Sequence, residues 1–330
     1  MTDTSYTALV VREDAPKTFS RAIEQRQLSE LPAGDVLIKV VYSSLNFKDA
    51  LSATGNPGVS RNFPHSPAID AVGEVVESND VNLPTGMQVV VTGFDLGMNT
   101  AGGLAEYVRV PANWVVPLPS NLTAKESMSY GTAGLTAALM VNALLENDLI
   151  PSGGEILVTG ATGGVGSVAV AILAKLGFDV CAVTGKADQA AFLKCLGANS
   201  VVSRDEIIDE KRPMLKERWA GVIDVAGGAL LSSAIKSTKY TGTVTCSGMV
   251  SDINFTSSIF PFILRGVKLI GIDSVECPMN KRLKVWNKMT SEFKPDCLAE
   301  LTSEIALEDT IDQLMAMLEG KSKERFVVKI

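Results

Sequence analysis

The chain has 330 residues, of which 46% are hydrophobic, 20% charged and 6% aromatic. This length predicts about two domains, and the composition is that of an ordinary globular α/β protein. The formal net charge is −7 at pH 7. Because a nucleic-acid-binding surface needs a basic face, this acidic balance argues against nucleic acid as a partner.

The cysteines and the first residues of the chain indicate the cellular compartment in which the protein is expected. The five cysteines have no close pairing and no Cys-X-X-Cys spacing, which argues against a disulfide framework and a cysteine zinc cluster. The first residues lack a basic segment followed by an apolar core, so we expect no signal peptide in them. No uninterrupted apolar run approaches the ~20 residues of a membrane span. We therefore expect a cytoplasmic protein without a membrane partner.

Short strands punctuated by glycine and proline dominate the first part of the chain. Strands are predicted at residues 5–12, 36–44, 71–77, 88–92, 104–110 and 113–117. No long helical period occurs before residue 123, so this part is predicted to be a β-rich domain, a compact barrel.

From residue 123 onwards, helices and strands alternate. Helices are predicted at 124–130, 135–146, 164–176, 187–196, 229–239 and 258–265, and strands at 155–159, 178–183, 199–202, 221–225, 242–247 and 267–272. This spacing indicates βαβ units and a doubly wound parallel sheet, whose ligand crevice lies at the carboxyl ends of the strands. Amphipathic helices at 280–293 and 307–319 follow. A last strand at 325–330 is expected to pair with the first domain.

A glycine-rich loop joins the first strand of this sheet to the next helix. Glycine lets both a pyrophosphate and the neighbouring strand approach closely, and the amides and dipole of the helix N-terminus favour a phosphate. The alternative is a tight turn onto a helix that binds nothing. The residues assigned to cofactor binding are Gly160, Gly163, Gly164, Val165, Gly166 and Ser167.

The second strand of the sheet ends in Thr184, Gly185 and Lys186. NAD-binding folds place a carboxylate here, about 20 residues after the glycine loop, and this turn has none. A lysine attracts the 2′-phosphate that a carboxylate would repel. Arg204, just after the third strand, is expected to reach the same phosphate. The cofactor is therefore predicted to be NADPH rather than NADH; the alternative is that both cations are ordinary solvated residues.

Several segments together resemble a known family. They are residues 42–49 (YSSLNFKD), 61–64 (RNFP) with 69–70 (ID), 102–107 (GGLAEY), 131–137 (GTAGLTA), 261–266 (PFILRG) and 271–275 (GIDSV), besides the glycine loop. With these segments the sequence resembles the zinc-free medium-chain dehydrogenases/reductases, and most closely the YhdH/YhfP-type quinone oxidoreductases, which include acryloyl-CoA reductases. The resemblance covers essentially the whole chain.

This resemblance implies the domain organisation. A GroES-like, β-rich catalytic domain is expected at residues 1–125 and 276–330, around an inserted Rossmann NADPH-binding domain at residues 126–275. Members of the family commonly form homodimers by extending the Rossmann sheet, so a homodimer is expected.

The resemblance also bears on metal. Zinc-dependent relatives carry a ligand cysteine where this chain has Asn46, and their separate run of four cysteines is absent. The single histidine, His65, is expected to be structural. Because a catalytic zinc set of histidine and cysteine cannot be assembled, we expect no metal.

Without a Lewis acid, the expected reaction is hydride transfer to an electron-poor carbon of an α,β-unsaturated thioester or a quinone. Asn46 is predicted to donate a hydrogen bond to the acceptor oxygen, and Asp49 to orient the loop or the proton path. The alternative is that both only cap a turn. Many relatives have a tyrosine that could donate a proton where this chain has Phe47, which is expected only to pack against the nicotinamide.

The remaining positions are assigned by resemblance alone. Those expected at the cofactor are Thr136, Gly248, Ser274 and Arg325. Those expected at the substrate are Arg61, Phe94 and Arg265, of which the two arginines either meet CoA phosphates or form surface salt bridges.

The loop from Thr92 to Gly103 departs from the acryloyl-CoA reductases. These tend to have Trp, Glu, His and Trp where this chain has Phe94, Met98, Thr100 and Ala101. The favoured substrate is a small enoyl-CoA such as acryloyl-CoA. The alternatives are a quinone as acceptor and, third, a non-catalytic NADPH-binding sensor.

Overall fold

A computed structural model describes residues 4–321 and 325–330. The strands of the described chain are β1 (Ser5–Ala15), β2 (Thr18–Gln27), β3 (Val36–Ser44), β4 (Asp70–Ser78), β5 (Gln88–Thr92), β6 (Tyr107–Val110), β7 (Val116–Pro117), β8 (Ile156–Val158), β9 (Val180–Val183), β10 (Ser200–Val202), β11 (Trp219–Asp224), β12 (Thr238–Cys246), β13 (Lys268–Gly271), β14 (Thr302–Ala306) and β15 (Arg325–Lys329). Its α-helices are α1 (Phe47–Ala53), α2 (Ala124–Leu145), α3 (Gly164–Lys175), α4 (Ala190–Cys195), α5 (Gly228–Ser237), α6 (Phe260–Arg265), α7 (Met279–Met289) and α8 (Thr310–Leu318). The expectation of no signal peptide concerns in part residues 1–3, which lie outside the described residues.

The chain divides into two compact units. The first contains residues 1–132, 275–283 and 299–330, and the second contains residues 133–274 and 284–298. The segment 284–298 therefore lies with the second unit, whereas the sequence pattern assigns the whole tail from residue 276 to the first.

The first unit is built on a seven-stranded sheet. Its strand order is β14-β15-β3-β4-β5-β7, and β6 also pairs with β3. The last strand, β15, runs antiparallel to β3, so the predicted pairing of the tail with the first domain is confirmed. The sequence pattern missed β2, which pairs with β1 in a separate hairpin. This strand has no buried residue, so it lacks the apolar alternation that predicts a half-buried strand.

The second unit is built on a six-stranded parallel sheet. Its order is β10-β9-β8-β11-β12-β13, the arrangement of a doubly wound dinucleotide-binding sheet, with the direction of winding reversed between β8 and β11. Side chains from the inner strands and α5 form a buried apolar core that includes Leu157, Val222, Leu231 and Val244. The predicted fold class, α/β with a Rossmann-type parallel sheet and a β-rich domain, is confirmed.

Helix α2 joins the two helices predicted at 124–130 and 135–146. Between them Gly131 has a non-helical backbone, with φ 50° and ψ −155°. Of the described helices, α2 alone is long and apolar enough to cross a membrane by length and composition. However, 94% of its most apolar 18-residue window is buried inside the protein, as in a core helix.

His65 is buried in the first unit. Its Nε2 lies 2.9 Å from the Ser52 hydroxyl and 3.0 Å from the Gly97 carbonyl. Burial lowers the pKa of His65 to about 4. The neutral ring therefore serves the fold, as expected for a structural histidine.

We predict that His65 stays uncharged in the folded protein down to about pH 5. Because an exposed histidine has a pKa of about 6.5, the unfolded chain binds a proton that the folded chain does not between about pH 6.5 and 4. The stability from neutral His65 is thus complete above pH 6.5 and falls by about 3 kcal/mol as the pH drops to 4. His65 is the only histidine, so one imidazole NMR signal reports it. If this signal titrated in the folded protein with a midpoint near pH 6.5, the value expected for the chain unfolded in urea, the prediction would be contradicted.

Candidate active site

The glycine loop lies between β8 and α3 in the second unit. Gly160 has φ 57°, and a Cβ at this position would lie 2.6 Å from Val225 Cγ2. A Cβ on Gly166 would lie 2.4 Å from the Gly160 carbonyl oxygen. Only glycine fits this close approach of helix to strand, which sets the N-terminus of α3 at the carboxyl end of β8, where phosphates bind.

The other predicted loop residues belong to the first turn of α3. Gly163 precedes the helix, Gly164 begins it, and Val165 is half-buried. Ser167 is fully buried, with its hydroxyl 3.5 Å from the Gly164 carbonyl. The hydroxyl of Ser167 is therefore turned inward, and this turn presents mainly backbone to a ligand.

The structure brings the two predicted phosphate cations to neighbouring strand ends. Strands β9 and β10 pair in parallel, and Thr184 and Arg204 follow their respective ends. The Thr184 hydroxyl accepts the backbone N–H of Lys186 at 3.0 Å, which shapes the turn. A Cβ on Gly185 would lie 3.2 Å from Arg204 Nε, so the guanidinium extends across the same turn.

Two further cofactor assignments follow other strands of this sheet. The Thr136 hydroxyl donates to the Ser274 hydroxyl at 2.6 Å, and both residues are buried. Gly248 follows β12, where a Cβ would lie 2.1 Å from the Val225 carbonyl oxygen. The contact with the cofactor expected of these residues stays a prediction.

Asp70 is the centre of a buried polar network in the first unit. Its carboxylate accepts hydrogen bonds from Ser44 Oγ at 2.6 Å and Asn46 Nδ2 at 2.7 Å. It also accepts the backbone N–H of Thr132 at 2.8 Å and the Thr132 hydroxyl at 2.6 Å. Four donors from three residues hold one carboxylate that has no exposed surface, as a buried charge requires.

Arg325 completes this network from the start of β15. Its Nη1 donates to the side-chain oxygen of Asn46 at 3.0 Å, and its Nη2 donates to the Ser44 hydroxyl at 2.8 Å. Carbonyls of Leu45 and of α2 accept further hydrogen bonds from the guanidinium. Burial lowers the pKa of Arg325, and Asp70 acts in the opposite direction. This arginine is 2% exposed and its guanidinium fixes the side chain of Asn46. The contact with the cofactor expected of Arg325 stays a prediction.

Asp49 is also fully buried and holds the start of α1. Its carboxylate accepts the backbone N–H of Asn46 at 2.7 Å and that of Ile69 at 3.0 Å. Burial, and next the charge of Asp70, raise the pKa of Asp49 to about 7. The turn-capping role is thus present. Asn46 Nδ2 lies 3.3 Å from Asp49 as well as 2.7 Å from Asp70, so donation by Asn46 to a substrate oxygen stays a prediction.

Phe47 and Phe94 differ in how firmly they are held. Phe47, the first residue of α1, is 43% exposed. Phe94 has φ 52° and stacks on Trp114, with ring centroids 5.4 Å apart. The guanidinium of Arg282 lies 4.4 Å from the Phe94 ring centroid and donates to the Thr92 carbonyl. Phe94 therefore anchors the divergent loop, and its contact with substrate stays a prediction.

The two arginines expected at CoA are placed differently. Arg265 donates to the carbonyls of Lys236 and Leu215 and forms an ion pair with Glu217 at 3.2 Å. The ion pair is the alternative to a CoA contact that the sequence left open, and the contact of Arg265 with substrate stays a prediction. Arg61 is exposed, and its Nε donates to the Pro57 carbonyl; its role stays a prediction.

Family models match both parts of the chain: the alcohol dehydrogenase GroES-like domain over residues 32–120 and the zinc-binding dehydrogenase over residues 164–294. YhfP of Bacillus subtilis, which is named as a quinone oxidoreductase, is 46% identical over 303 residues, covering 91% of this chain and 92% of YhfP. The acrylyl-CoA reductase AcuI of Ruegeria pomeroyi is 41% identical over 327 residues, covering 98% and 99%. The chain belongs to the YhdH/YhfP-type medium-chain dehydrogenases/reductases.

Solved structures of this family superpose closely on the chain. The yhdH oxidoreductase of Salmonella enterica, in complex with NADP, has a TM-score of 0.95 and 41% identity, covering 98% of this chain and 99% of that one. YhfP of Bacillus subtilis, with NAD bound, has a TM-score of 0.96 and 43% identity, covering 99% and 100%. The predicted family is therefore confirmed.

The sequence reasoning missed the members of the network that surround Asn46 in this YhdH/YhfP-type chain. Asp70, Ser44 and Thr132 carry no periodic signal, although each lies in a segment that resembles the family. Gly131 is required by the network, because a Cβ there would lie 2.4 Å from the Asp70 carboxylate and 2.5 Å from Arg325 Nη2. Within residues 4–321 and 325–330, no three His, Cys, Asp or Glu residues are grouped so that they could hold a metal ion.

Proposed function

We propose that this protein is an NADPH-dependent oxidoreductase that transfers a hydride to an activated C=C bond, with a small enoyl-CoA such as acryloyl-CoA as favoured substrate. The observation that carries this proposal is the phosphate loop followed by a turn without a carboxylate, where Lys186 and Arg204 follow the ends of two paired parallel strands. The 41% identity to a named acrylyl-CoA reductase supports the substrate class.

The residues of the second unit fit the phosphates of NADPH. The glycine loop offers backbone amides to the pyrophosphate, and Lys186 and Arg204 offer positive charge to the 2′-phosphate. When bound, NADPH supplies the hydride. The chain itself orients the phosphates and selects the phosphorylated cofactor.

The residues of the first unit fit the acceptor side of the reaction. Hydride addition to an enoyl thioester leaves negative charge on the thioester oxygen, and a fixed hydrogen-bond donor stabilises that charge. Asn46 is the proposed donor, and Arg325 and Asp70 fix its amide. Asp49, whose pKa is raised to about 7, can hold a proton at neutral pH. We propose that Asp49 belongs to the path that returns a proton to the product.

One assay tests the proposal. Purified protein is given NADPH or NADH with acryloyl-CoA, crotonyl-CoA or 1,4-benzoquinone, and cofactor oxidation is followed at 340 nm. Turnover of a thioester with NADPH supports the proposal. Turnover of the quinone alone supports the second candidate, an NADPH:quinone oxidoreductase, and NADPH binding without turnover supports a sensor. EDTA is expected to leave the rate unchanged.

The second candidate, the quinone oxidoreductase, has an observation of its own. The loop that Phe94 anchors carries Met98, Thr100 and Ala101 where acryloyl-CoA reductases tend to have larger or charged groups. YhfP, at 46% identity, is named as a quinone oxidoreductase. A flat, uncharged acceptor suits such a loop.

We further propose that the protein is a cytoplasmic homodimer. Strand β13 is an edge of the six-stranded sheet, and unpaired strand edges pair readily with a second copy. Ile259, Ile263 and Leu264, just before it, are each at least 60% exposed, which is typical of an interaction surface. The five cysteines are free, as in a reducing compartment. Light scattering should give twice the mass of the chain; the mass of one chain would contradict the dimer.

A further inference from the structure

Two loops at the carboxyl ends of adjacent strands in the six-stranded sheet meet at one buried carboxylate. Asp224, the last residue of β11, has no exposed surface. Its Oδ1 accepts the Thr159 hydroxyl at 2.6 Å, and its Oδ2 accepts the backbone N–H of Gly227 at 2.8 Å. The Thr159 oxygen in turn accepts the backbone N–H of Val225 at 3.1 Å. Two adjacent strand ends are thus bound together by side chains.

Thr159 stands directly before the glycine loop. Its own N–H donates to the Ile223 carbonyl at 3.0 Å, so its backbone is held against β11 as well. The next residue, Gly160, turns at positive φ against Val225, and its carbonyl accepts the N–H of Gly163 at 3.0 Å. A shift of Thr159 therefore moves the whole loop.

The charge of Asp224 depends on the same contacts. Burial raises the pKa of Asp224, and the hydrogen bonds from Thr159 and from the backbone of Gly227 and Ala226 act in the opposite direction. Removing the Thr159 hydroxyl would leave one carboxylate oxygen and the Val225 N–H without this partner. Unpaired buried polar groups are costly, and the strand ends must shift to relieve the cost.

We propose that Asp224 and Thr159 are positioning residues for the cofactor's pyrophosphate, acting through the glycine loop. This inference rests on the proposed use of NADPH. It assigns the two phosphate groups of the cofactor to different residues. Thr159 positions the loop that binds the pyrophosphate, whereas Lys186 and Arg204, which follow other strands, bind the 2′-phosphate.

The test compares Thr159→Val with Thr243→Val. Both threonines are buried in the same sheet, but the Thr243 hydroxyl has no hydrogen-bond partner in the described part of the chain. Thr159→Val is expected to raise the Kd for NADPH by about tenfold, since two buried hydrogen bonds are lost. Thr243→Val is expected to leave it unchanged, and Thr159→Ser, which keeps the hydroxyl, should restore tight binding.

A second ligand distinguishes positioning from general damage. Adenosine 2′-phosphate carries the group that Lys186 and Arg204 would hold but has no pyrophosphate, so Thr159→Val should leave its Kd unchanged. Equal weakening of both ligands, or equal NADPH affinity in the two valine variants, overturns the inference. If the wild-type protein binds no NADPH, the proposed function itself fails. If Thr159→Val does not fold, Asp224→Asn is tested in its place with the same two ligands, because it leaves one acceptor oxygen for the two donors Thr159 and Gly227.

Discussion

Replacing Lys186 with glutamate is expected to weaken NADPH binding by about 10- to 150-fold, the range of one charge-assisted contact, while changing NADH binding little. Lys186 and Arg204 follow the ends of the paired strands β9 and β10, and the Arg204 guanidinium extends across the turn at Gly185. A carboxylate in that turn would repel the 2′-phosphate and would accept a hydrogen bond from the ribose hydroxyl of NADH. Fluorescence titration with NADPH and with NADH gives the two Kd values, and their ratio measures the preference for NADPH.

A second lysine provides the control for net charge. Lys239 lies near the start of β12, at the amino end of that strand, whereas Lys186 follows the carboxyl end of β9. The Nζ of Lys239 donates to the Gly153 carbonyl. Lys239→Glu changes the total charge equally, so it should preserve the preference for NADPH. Because Lys186 is half-buried and Arg204 exposed, salt screens the contact, and the effect should grow at low ionic strength. If Lys186→Glu weakened the binding of NADPH and NADH equally, Lys186 would not bind the 2′-phosphate.

Replacing Gly131 with alanine is expected to destabilise the first unit by about 3 kcal/mol or more. The added methyl group would clash with buried atoms, and alanine would have to adopt a left-handed backbone. The added Cβ would lie 2.4 Å from the Asp70 carboxylate, 2.5 Å from Arg325 Nη2 and 2.5 Å from Ser44 Oγ. None of these atoms can yield easily. Asn46 holds the Asp70 oxygen, the Met128 carbonyl holds Arg325 Nη2, and both Asp70 and Arg325 bond Ser44 Oγ. Urea unfolding measures the loss.

Gly86 separates the clash from the backbone conformation. It has φ 87° and belongs to the same unit, but a Cβ there would meet nothing within 4 Å. Gly86→Ala therefore carries only the cost of the left-handed backbone, about 1–2 kcal/mol. If Gly131→Ala lowers the free energy of unfolding no more than Gly86→Ala does, the polar network is not rigid. If Gly131→Ala folds, reduced turnover at unchanged NADPH affinity would link the network to the acceptor side.

The parallel sheet and its phosphate loop could be read from the sequence because their signals are local. Each strand is a short apolar run, each helix follows at regular spacing, and the glycines mark where the backbone must pass closely. Lys186 is recognisable because it occupies a position where a known fold requires one charge or the other. All these signals lie within a few residues of the feature they predict.

The polar network around Asn46 could not be read in this way. Asp70, Thr132 and Arg325 are far apart in the chain, and each has the local pattern of an ordinary strand or helix residue. Their meeting depends on the pairing of β15 with β3 and of β3 with β4. The sequence places Arg325 at the cofactor and Arg265 at the substrate because a cation suits a phosphate, and it gives no sign of the Ser44 and Glu217 contacts that the structure shows.

The position of β15 has a consequence for synthesis of the chain. Arg325 bonds Ser44 across 281 residues of sequence, and β15 lies between β14 and β3 in its sheet. A ribosome therefore releases every strand of the six-stranded sheet before it releases the strand that closes the seven-stranded one. Until then, residues 42–44 of β3 lack their partner strand and are open to contact with other chains or chaperones. The polar network can form only after Arg325 has been released.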